Sequence, residues 1–119
     1  MENVLYLKTK VFAGDVVRFV QALKYSAVNS VMGKQLLRCG TSVYANYRAV
    51  CRARSKADFI AKLGIVEEEA DESLCWLELM TDTDVVDKKD TEKLIKSAGE
   101  ILSMVVASLK TAKRDRDKR

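Results

Sequence analysis

The chain has 119 residues, of which 48% are apolar and 32% are charged, so it suits one globular domain over residues 1–119 and is not composed like a disordered protein. It has no proline and 7% aromatic residues, which argues against a turn-rich β-sandwich, and no histidine, which excludes imidazole-dependent catalysis. The net charge of +4 is unevenly distributed along the chain. Residues 1–56 carry ten cations and two carboxylates, residues 57–100 carry five cations and thirteen carboxylates, and residues 101–119 carry six cations and two carboxylates.

The three cysteines, Cys39, Cys51 and Cys75, are odd in number and lack the C-x-x-C spacing of many metal and redox sites. We expect them to be reduced, buried and to act as small apolar side chains. No apolar run approaches the ~20 residues of a membrane span, and the amino terminus has no signal-peptide pattern. The sequence therefore predicts a cytoplasmic protein without a membrane partner, a metal or a cofactor.

The first half of the chain contains two helical patterns. Apolar residues recur at helical spacing over residues 12–23, which predicts a first helix that begins between Asn3 and Lys10. The period is then lost until Asn29 or Ser30, either of which can cap a second helix over residues 31–53.

The second half contains two more helical patterns and a tail. Ser55–Asp58 is a capping box, which predicts a third helix to about Met80. Residues 81–89 are polar and predict a loop, after which Asp90 caps a fourth helix, and residues 110–119 are a charged tail expected to fray. Helices joined by short loops lie antiparallel, so we expect an all-α fold, an up-down-up-down four-helix bundle. The expected core stripes are Phe12, Val16, Phe19, Val20 and Leu23; Phe59, Leu63, Val66, Ala70, Leu74 and Leu77; and Leu94, Ala98, Ile101, Leu102, Val105 and Leu109.

The second helix has one basic and one apolar face. At about 100° per residue, four cations share a stripe about 80° wide, and a fifth extends the charge into the following turn. We call these five residues the basic ridge: Lys34, Arg38, Arg48, Arg52 and Arg54. The opposite arc is wider than one bundle core needs and consists of Met32, Leu36, Leu37, Cys39, Gly40, Val43, Tyr44, Tyr47, Val50 and Cys51.

The third helix is acidic over residues 67–72 and apolar on nearly all sides over residues 74–80. The apolar end must bury more than one face, which indicates a contact between subunits. The carboxylates would bind magnesium only if facing helices supplied more of them, and the fourth helix offers only Glu92 and Glu100. We therefore interpret this stretch as a solvated acidic face and predict no catalytic residues.

Three short motifs precede the capped third helix: Q-L-x-R at 35–38, S-x-x-A-N at 42–46 and R-x-R-S at 52–55. Together with D-F-I-A-K-L-G-I-V at 58–66, E-A-D-E at 69–72 and W-L-E-L at 76–79, they resemble a bacterial family of four-helix bundles. The close match covers about residues 34–80. This family includes the proteins encoded by intervening sequences of 23S ribosomal RNA genes and the accessory variability proteins of diversity-generating retroelements.

The resemblance implies a bundle that assembles into a homopentamer with a positively charged surface. In the retroelement branch it also implies binding of nucleic acid and of a reverse transcriptase. The chain departs from the family at Ala49 and Val50, where many members have an acidic residue followed by glycine, and at Tyr44, where proline is common.

Two functions remain open at this stage. In the first, a non-enzymatic oligomer binds RNA or DNA backbone through the basic ridge, whose contacts would not depend on base sequence. Tyr44 and Tyr47 would stack on bases only if they were exposed, but their helical phase places them with the core. In the alternative, the protein is an interaction scaffold whose basic second helix pairs with the acidic third helix, within or between subunits.

Overall fold

The structure, a computed structural model, describes residues 3–118 and contains four α-helices in that range. They are α1 (Val4–Gln21), α2 (Ala27–Val50), α3 (Lys56–Asp82) and α4 (Lys88–Asp117). Each helix packs against the next one along the chain, and α1 also packs against α4, while the backbones of the two diagonal pairs stay apart over the described residues. The chain therefore forms the expected all-α, up-down-up-down four-helix bundle, with overall dimensions of 53 × 24 × 21 Å.

The first three helices begin at side-chain caps. The Asn3 Oδ1 atom accepts a hydrogen bond from the Tyr6 amide at 2.8 Å, and the Ser55 Oγ atom accepts one from the Asp58 amide at 3.0 Å. The predicted cap of the second helix is wrong, because α2 begins at Ala27 and Ser26 is its cap. The Asn29 amide donates to the Ser26 hydroxyl at 2.9 Å, so Asn29 is already helical.

The remaining boundaries differ from the predictions by a few residues. α2 ends at Val50, and a tighter turn follows, in which the Ala53 amide donates to the Val50 carbonyl at 3.0 Å. Asp90 is not a cap: it lies in the first turn of α4, which follows Asp87, and its amide donates to the Asp87 carbonyl. α4 continues through the predicted tail to Asp117, so the first part of that tail is helical, and every described side chain after the buried Ala112 is exposed.

The core lies along the bundle axis and takes residues from all four helices, among them the fully buried Phe12, Leu36, Leu77 and Ile101. Every residue of the predicted core stripes is buried or half-buried, and only Cys51 in the predicted arc of α2 is exposed. Of the three cysteines only Cys39 is buried, so the expectation of burial is wrong for Cys51 and Cys75. Cys51 directly follows the last residue of α2, and Cys75 lies on the solvent-facing side of α3.

Three polar side chains are buried within this core, namely Thr9, Ser73 and Thr91. Each hydroxyl donates to a carbonyl one turn earlier in its own helix, at 3.1, 2.8 and 3.0 Å respectively. The Thr91 hydroxyl also lies 2.7 Å from that of Thr81 and so joins α4 to α3. Because these groups are hydrogen-bonded, their burial does not carry the cost of an unsatisfied polar atom.

Candidate nucleic-acid interface

All five residues of the basic ridge are exposed on the side of α2, or of the turn after it, that faces away from the core. These five residues do not form one continuous surface in the structure, however. Lys34 lies fourteen residues before Arg48 on the same helix, which is about 21 Å along the axis. Arg48, Arg52 and Arg54 lie together where α2 ends.

Arg38 is paired within the chain. Its Nη1 atom lies 3.4 Å from the Glu69 carboxylate, and its Nη2 atom donates to Glu72, which also accepts a 3.2 Å bond from the Trp76 indole. The bond to Glu72 raises the pKa of Arg38, and the bonds from Arg38 and Trp76 lower the pKa of Glu72. The acidic stretch of α3 is thus more than a solvated face, because two of its carboxylates neutralise one cation of the ridge.

The lowered pKa of Glu72 predicts a pH-dependent contribution to stability. The ionised carboxylate is favoured by folding, so its contribution is complete above the ordinary pKa of a glutamate and is lost as the pH falls through the lowered value of the folded state. We expect Glu72→Gln to be less stable than the wild type at pH 7 and closer to it in stability at about pH 3. Urea denaturation at both pH values measures this difference.

The control for that comparison is Glu78→Gln, an exposed glutamate on the same helix with no ion pair among the described residues. It should leave the stability close to that of the wild type at both pH values. A Glu72→Gln deficit that persists unchanged at low pH would show that the ionised carboxylate is not its source.

The carboxyl end of α4 lies beside the amino end of α3. Lys56 and Phe59 of α3 line a surface depression together with Ala112 and Asp115 of α4. The cations that follow along α4 therefore join those of α2 at one end of the bundle. We call residues 48–62 and 108–118 the basic end: the first range has five cations and one carboxylate, and the second has five cations and two carboxylates.

The carboxylate of the α2–α3 turn is engaged locally. Asp58 accepts a 3.1 Å bond from the Arg54 backbone amide and a 2.7 Å bond from Lys62, and the Lys62 bond is the largest cause of its lowered pKa. Arg52 and Arg54 have no carboxylate within ion-pair distance among residues 3–118. They therefore present guanidinium groups to solvent.

At the opposite end of the bundle the α3–α4 turn is acidic, and Arg18 and Lys24 of the α1–α2 end lie beside it. The α3–α4 turn and its flanking helix ends, residues 78–93, contain six carboxylates and three lysines. One of these lysines, Lys93, lies 3.6 Å from Asp15 of α1, which also pairs with Arg18 at 2.8 Å. Charge is thus separated along the long axis of the molecule, and no single segment of the sequence displays this separation.

The two tyrosines of α2 have different environments. Tyr47 is buried, its hydroxyl donates to the Asn3 side chain at 3.1 Å, and burial raises its pKa. Tyr44 is partly exposed, and its hydroxyl lies 3.2 Å from that of Tyr6 on α1. Base stacking by Tyr47 is therefore excluded in this conformation, as its helical phase predicted.

Several large apolar side chains remain exposed. At the apolar end of α3, Leu77 and Met80 are buried, whereas Leu79 is 44% exposed. The contacts of α2 with α3 place Val31, itself 61% exposed, at about the level of Leu79.

Within the described residues no group of three or more cysteine or acidic side chains is placed to hold a metal ion.

The profile of the protein family described as 23S rRNA-intervening sequence protein matches residues 1–107. The chain belongs to this family. The family resemblance that the motifs within residues 34–80 indicated is thereby confirmed. The region matched by the 23S rRNA-intervening sequence proteins includes the whole basic ridge but ends before residues 108–118, so the second part of the basic end lies outside it.

Among solved structures, the chain is similar to a protein of unknown function from the S23 ribosomal protein family of Bacteroides thetaiotaomicron. The two share 35% identity over 90% of this chain and 99% of the other, with a TM-score of 0.82. No curated protein matches the chain. In this member of the 23S rRNA-intervening sequence proteins, none of the described helices is long and apolar enough to span a membrane.

Proposed function

We propose that the protein is a non-enzymatic, cytoplasmic oligomer that binds the phosphate backbone of RNA or DNA through its basic end. The observation that supports this proposal is the convergence of two cationic segments, 48–62 and 108–118, on one end of the bundle with ten cations and three carboxylates. Membership of a family described by its relation to 23S rRNA agrees with a nucleic-acid partner.

The geometry narrows the set of contacting residues. Arg38 is already paired with Glu69 and Glu72, so it would have to exchange these partners to bind a phosphate. Arg48, Arg52 and Arg54 are exposed and lie next to the cations of α4, so they carry the proposed binding. Contacts between guanidinium groups and backbone phosphates do not depend on the base sequence.

The test is the double variant Arg48→Ala/Arg52→Ala. For single strands the slope of log K against log salt is about −0.7 per phosphate contacted, so the loss of two contacts should flatten the slope by about 1.4. Affinity at low salt should fall for every sequence tested. Fluorescence anisotropy with a labelled single-stranded RNA at several salt concentrations measures both quantities.

The matched control is Lys88→Ala/Lys89→Ala, which removes two exposed cations from the opposite end of the bundle. It lowers the net charge by the same amount and should leave the slope unchanged. If both double variants flatten the slope equally, binding follows net charge and not the basic end. Absence of binding by the wild type at low salt would overturn the proposal.

An interaction scaffold is the second candidate, and the pairing of Arg38 with Glu69 and Glu72 favours it. For either function we propose an oligomer, because apolar side chains such as Leu79 and Val31 remain exposed on the single chain. The family resemblance implies five subunits and, in the retroelement branch, a reverse transcriptase as a further partner; we include both in the proposal. Light scattering on the anisotropy samples should give about five times the 13.4 kDa of one chain.

The two candidates predict different results for Arg48→Ala/Arg52→Ala in these measurements. The nucleic-acid proposal predicts weaker binding with unchanged mass and helical content. The scaffold predicts a change in assembly or thermal stability without nucleic-acid binding in the wild type. A 13.4-kDa monomer at micromolar concentration would contradict the oligomer in both cases.

A further inference from the structure

A pair of tyrosines bridges α1 and α2 close to the basic end. The hydroxyl oxygens of Tyr6 and Tyr44 lie 3.2 Å apart, and the two rings meet edge to face with centroids 5.7 Å apart. Both residues are half-buried, so neither side chain is fully shielded from solvent. Neither residue belongs to the basic ridge.

One exposed cation lies on each side of this pair. Lys10 follows Tyr6 by four residues on α1, and Arg48 follows Tyr44 by four residues on α2. Residues four apart share a face of a helix and lie about 6 Å apart along its axis. Because α1 and α2 are antiparallel, Lys10 and Arg48 stand on opposite sides of the tyrosines.

The electrostatics of the cluster favour an anion. The hydrogen bond between the two hydroxyls is the largest cause of a lowered pKa at Tyr44, and Lys10 and Arg48 lower that pKa further. Neither cation has a carboxylate within ion-pair distance among residues 3–118. The cluster is therefore positively charged and includes hydroxyl groups polarised to donate hydrogen bonds.

We propose that Tyr44, supported by Tyr6 and flanked by Lys10 and Arg48, binds a phosphate group of the nucleic-acid backbone and so extends the basic end from α2 onto α1. This inference rests on the proposed function. Either hydroxyl can donate in this pair; when Tyr6 donates to Tyr44, the Tyr44 proton is available to a phosphate oxygen, and the two cations attract the phosphate charge.

The test uses Tyr44→Phe and Tyr6→Phe, which remove one hydroxyl each and keep the ring contact. Tyr25→Phe is the control, because Tyr25 is 94% exposed and lies in the turn between α1 and α2 at the other end of the bundle. We expect Tyr44→Phe to weaken binding of single-stranded RNA about three- to tenfold and Tyr6→Phe to weaken it less. Tyr25→Phe should bind as the wild type does.

The salt dependence identifies the kind of contact. A neutral hydroxyl displaces no counterion, so Tyr44→Phe should lower the affinity without changing the slope, whereas Arg48→Ala should flatten it. A purely structural role would lower the thermal midpoint and leave the affinity of the folded variant unchanged. Circular dichroism at the temperature of the binding assay separates these two cases.

Inorganic phosphate, at ionic strength matched with chloride, is the second probe. If it shifts the tyrosine ring resonances of the wild type and competes with the RNA, while Tyr44→Phe shows neither effect, the site binds backbone phosphate as proposed. If it binds there without competing, the site takes free phosphate and the assignment to nucleic acid is overturned. Wild-type RNA binding that both tyrosine variants retain in full overturns this inference alone; no wild-type binding overturns the proposed function too.

Discussion

Replacing Leu77 by alanine is expected to lower the free energy of unfolding by about 3 kcal/mol, the typical cost of removing a buried leucine side chain and leaving a cavity. Leu77 has no exposed surface and belongs to a core cluster supplied by all four helices. Urea denaturation followed by circular dichroism measures the change. A loss of this size is a large fraction of the stability of an ordinary small domain.

Leu79→Ala is the control for this prediction. Leu79 lies two residues after Leu77 on α3, and its replacement by alanine removes the same atoms, but the Leu79 side chain is 44% exposed. Its free energy of unfolding should stay within about 0.5 kcal/mol of the wild type when the protein is monomeric. Equal losses at both positions would mean that Leu79 is covered in solution, and a concentration-dependent loss at Leu79 would identify an interface between subunits.

The second prediction concerns a close approach of α1 to α2 at Gly40. A β-carbon added at Gly40 would lie 2.9 Å from both γ-methyl groups of Val16, a fully buried and stiff side chain. Gly40→Ala should therefore destabilise the protein by about 1–2 kcal/mol, because overpacking outweighs the better helix propensity of alanine. Thermal and urea unfolding measure the effect.

Gly99→Ala provides a control of opposite sign, since a β-carbon there meets no atom within 4 Å. It should raise the stability by about 0.5–1 kcal/mol through helix propensity alone. The double variant Val16→Ala/Gly40→Ala tests the cause directly: it should be more stable than the sum of the two single changes predicts. Additive losses would show that α1 and α2 do not meet through these two residues.

The helices and their inward faces follow from local rules. A buried stripe repeats every three or four residues, and a Ser–x–x–Asp cap closes within one turn, so the third helix and its cap at Ser55 are legible in the sequence. The apolar spacing does not predict the start of α2 correctly. Val28 and Val31 are apolar but exposed, so the apolar residues of this segment do not mark the buried face of the helix. Its true cap, Ser26, depends on hydrogen bonding and not on apolar spacing.

The candidate site depends on the tertiary structure much more than the helices do. The exposure of the basic ridge follows from helical phase, and the charges of the second and third helices already suggest that the two helices pair. The sequence does not indicate that Arg38 is the paired cation, because Glu69 and Glu72 belong to another helix. The Tyr6–Tyr44 pair likewise joins residues thirty-eight positions apart. Neither contact leaves a periodic signal in the sequence.

By itself, the sequence determined the class of fold, the inward face of each helix and the family, because periodicity, capping and short motifs are properties of neighbouring residues. Only the tertiary structure decided where the charges meet. An antiparallel bundle brings the end of α2, the start of α3 and the end of α4 to one end, so two cationic segments separated by about fifty residues become one surface. The packing of the helices also determines which cations lie next to a carboxylate. Coulomb energy depends on the distance between charges in space and not along the chain. The packing therefore determines which cations remain unpaired and available to a ligand.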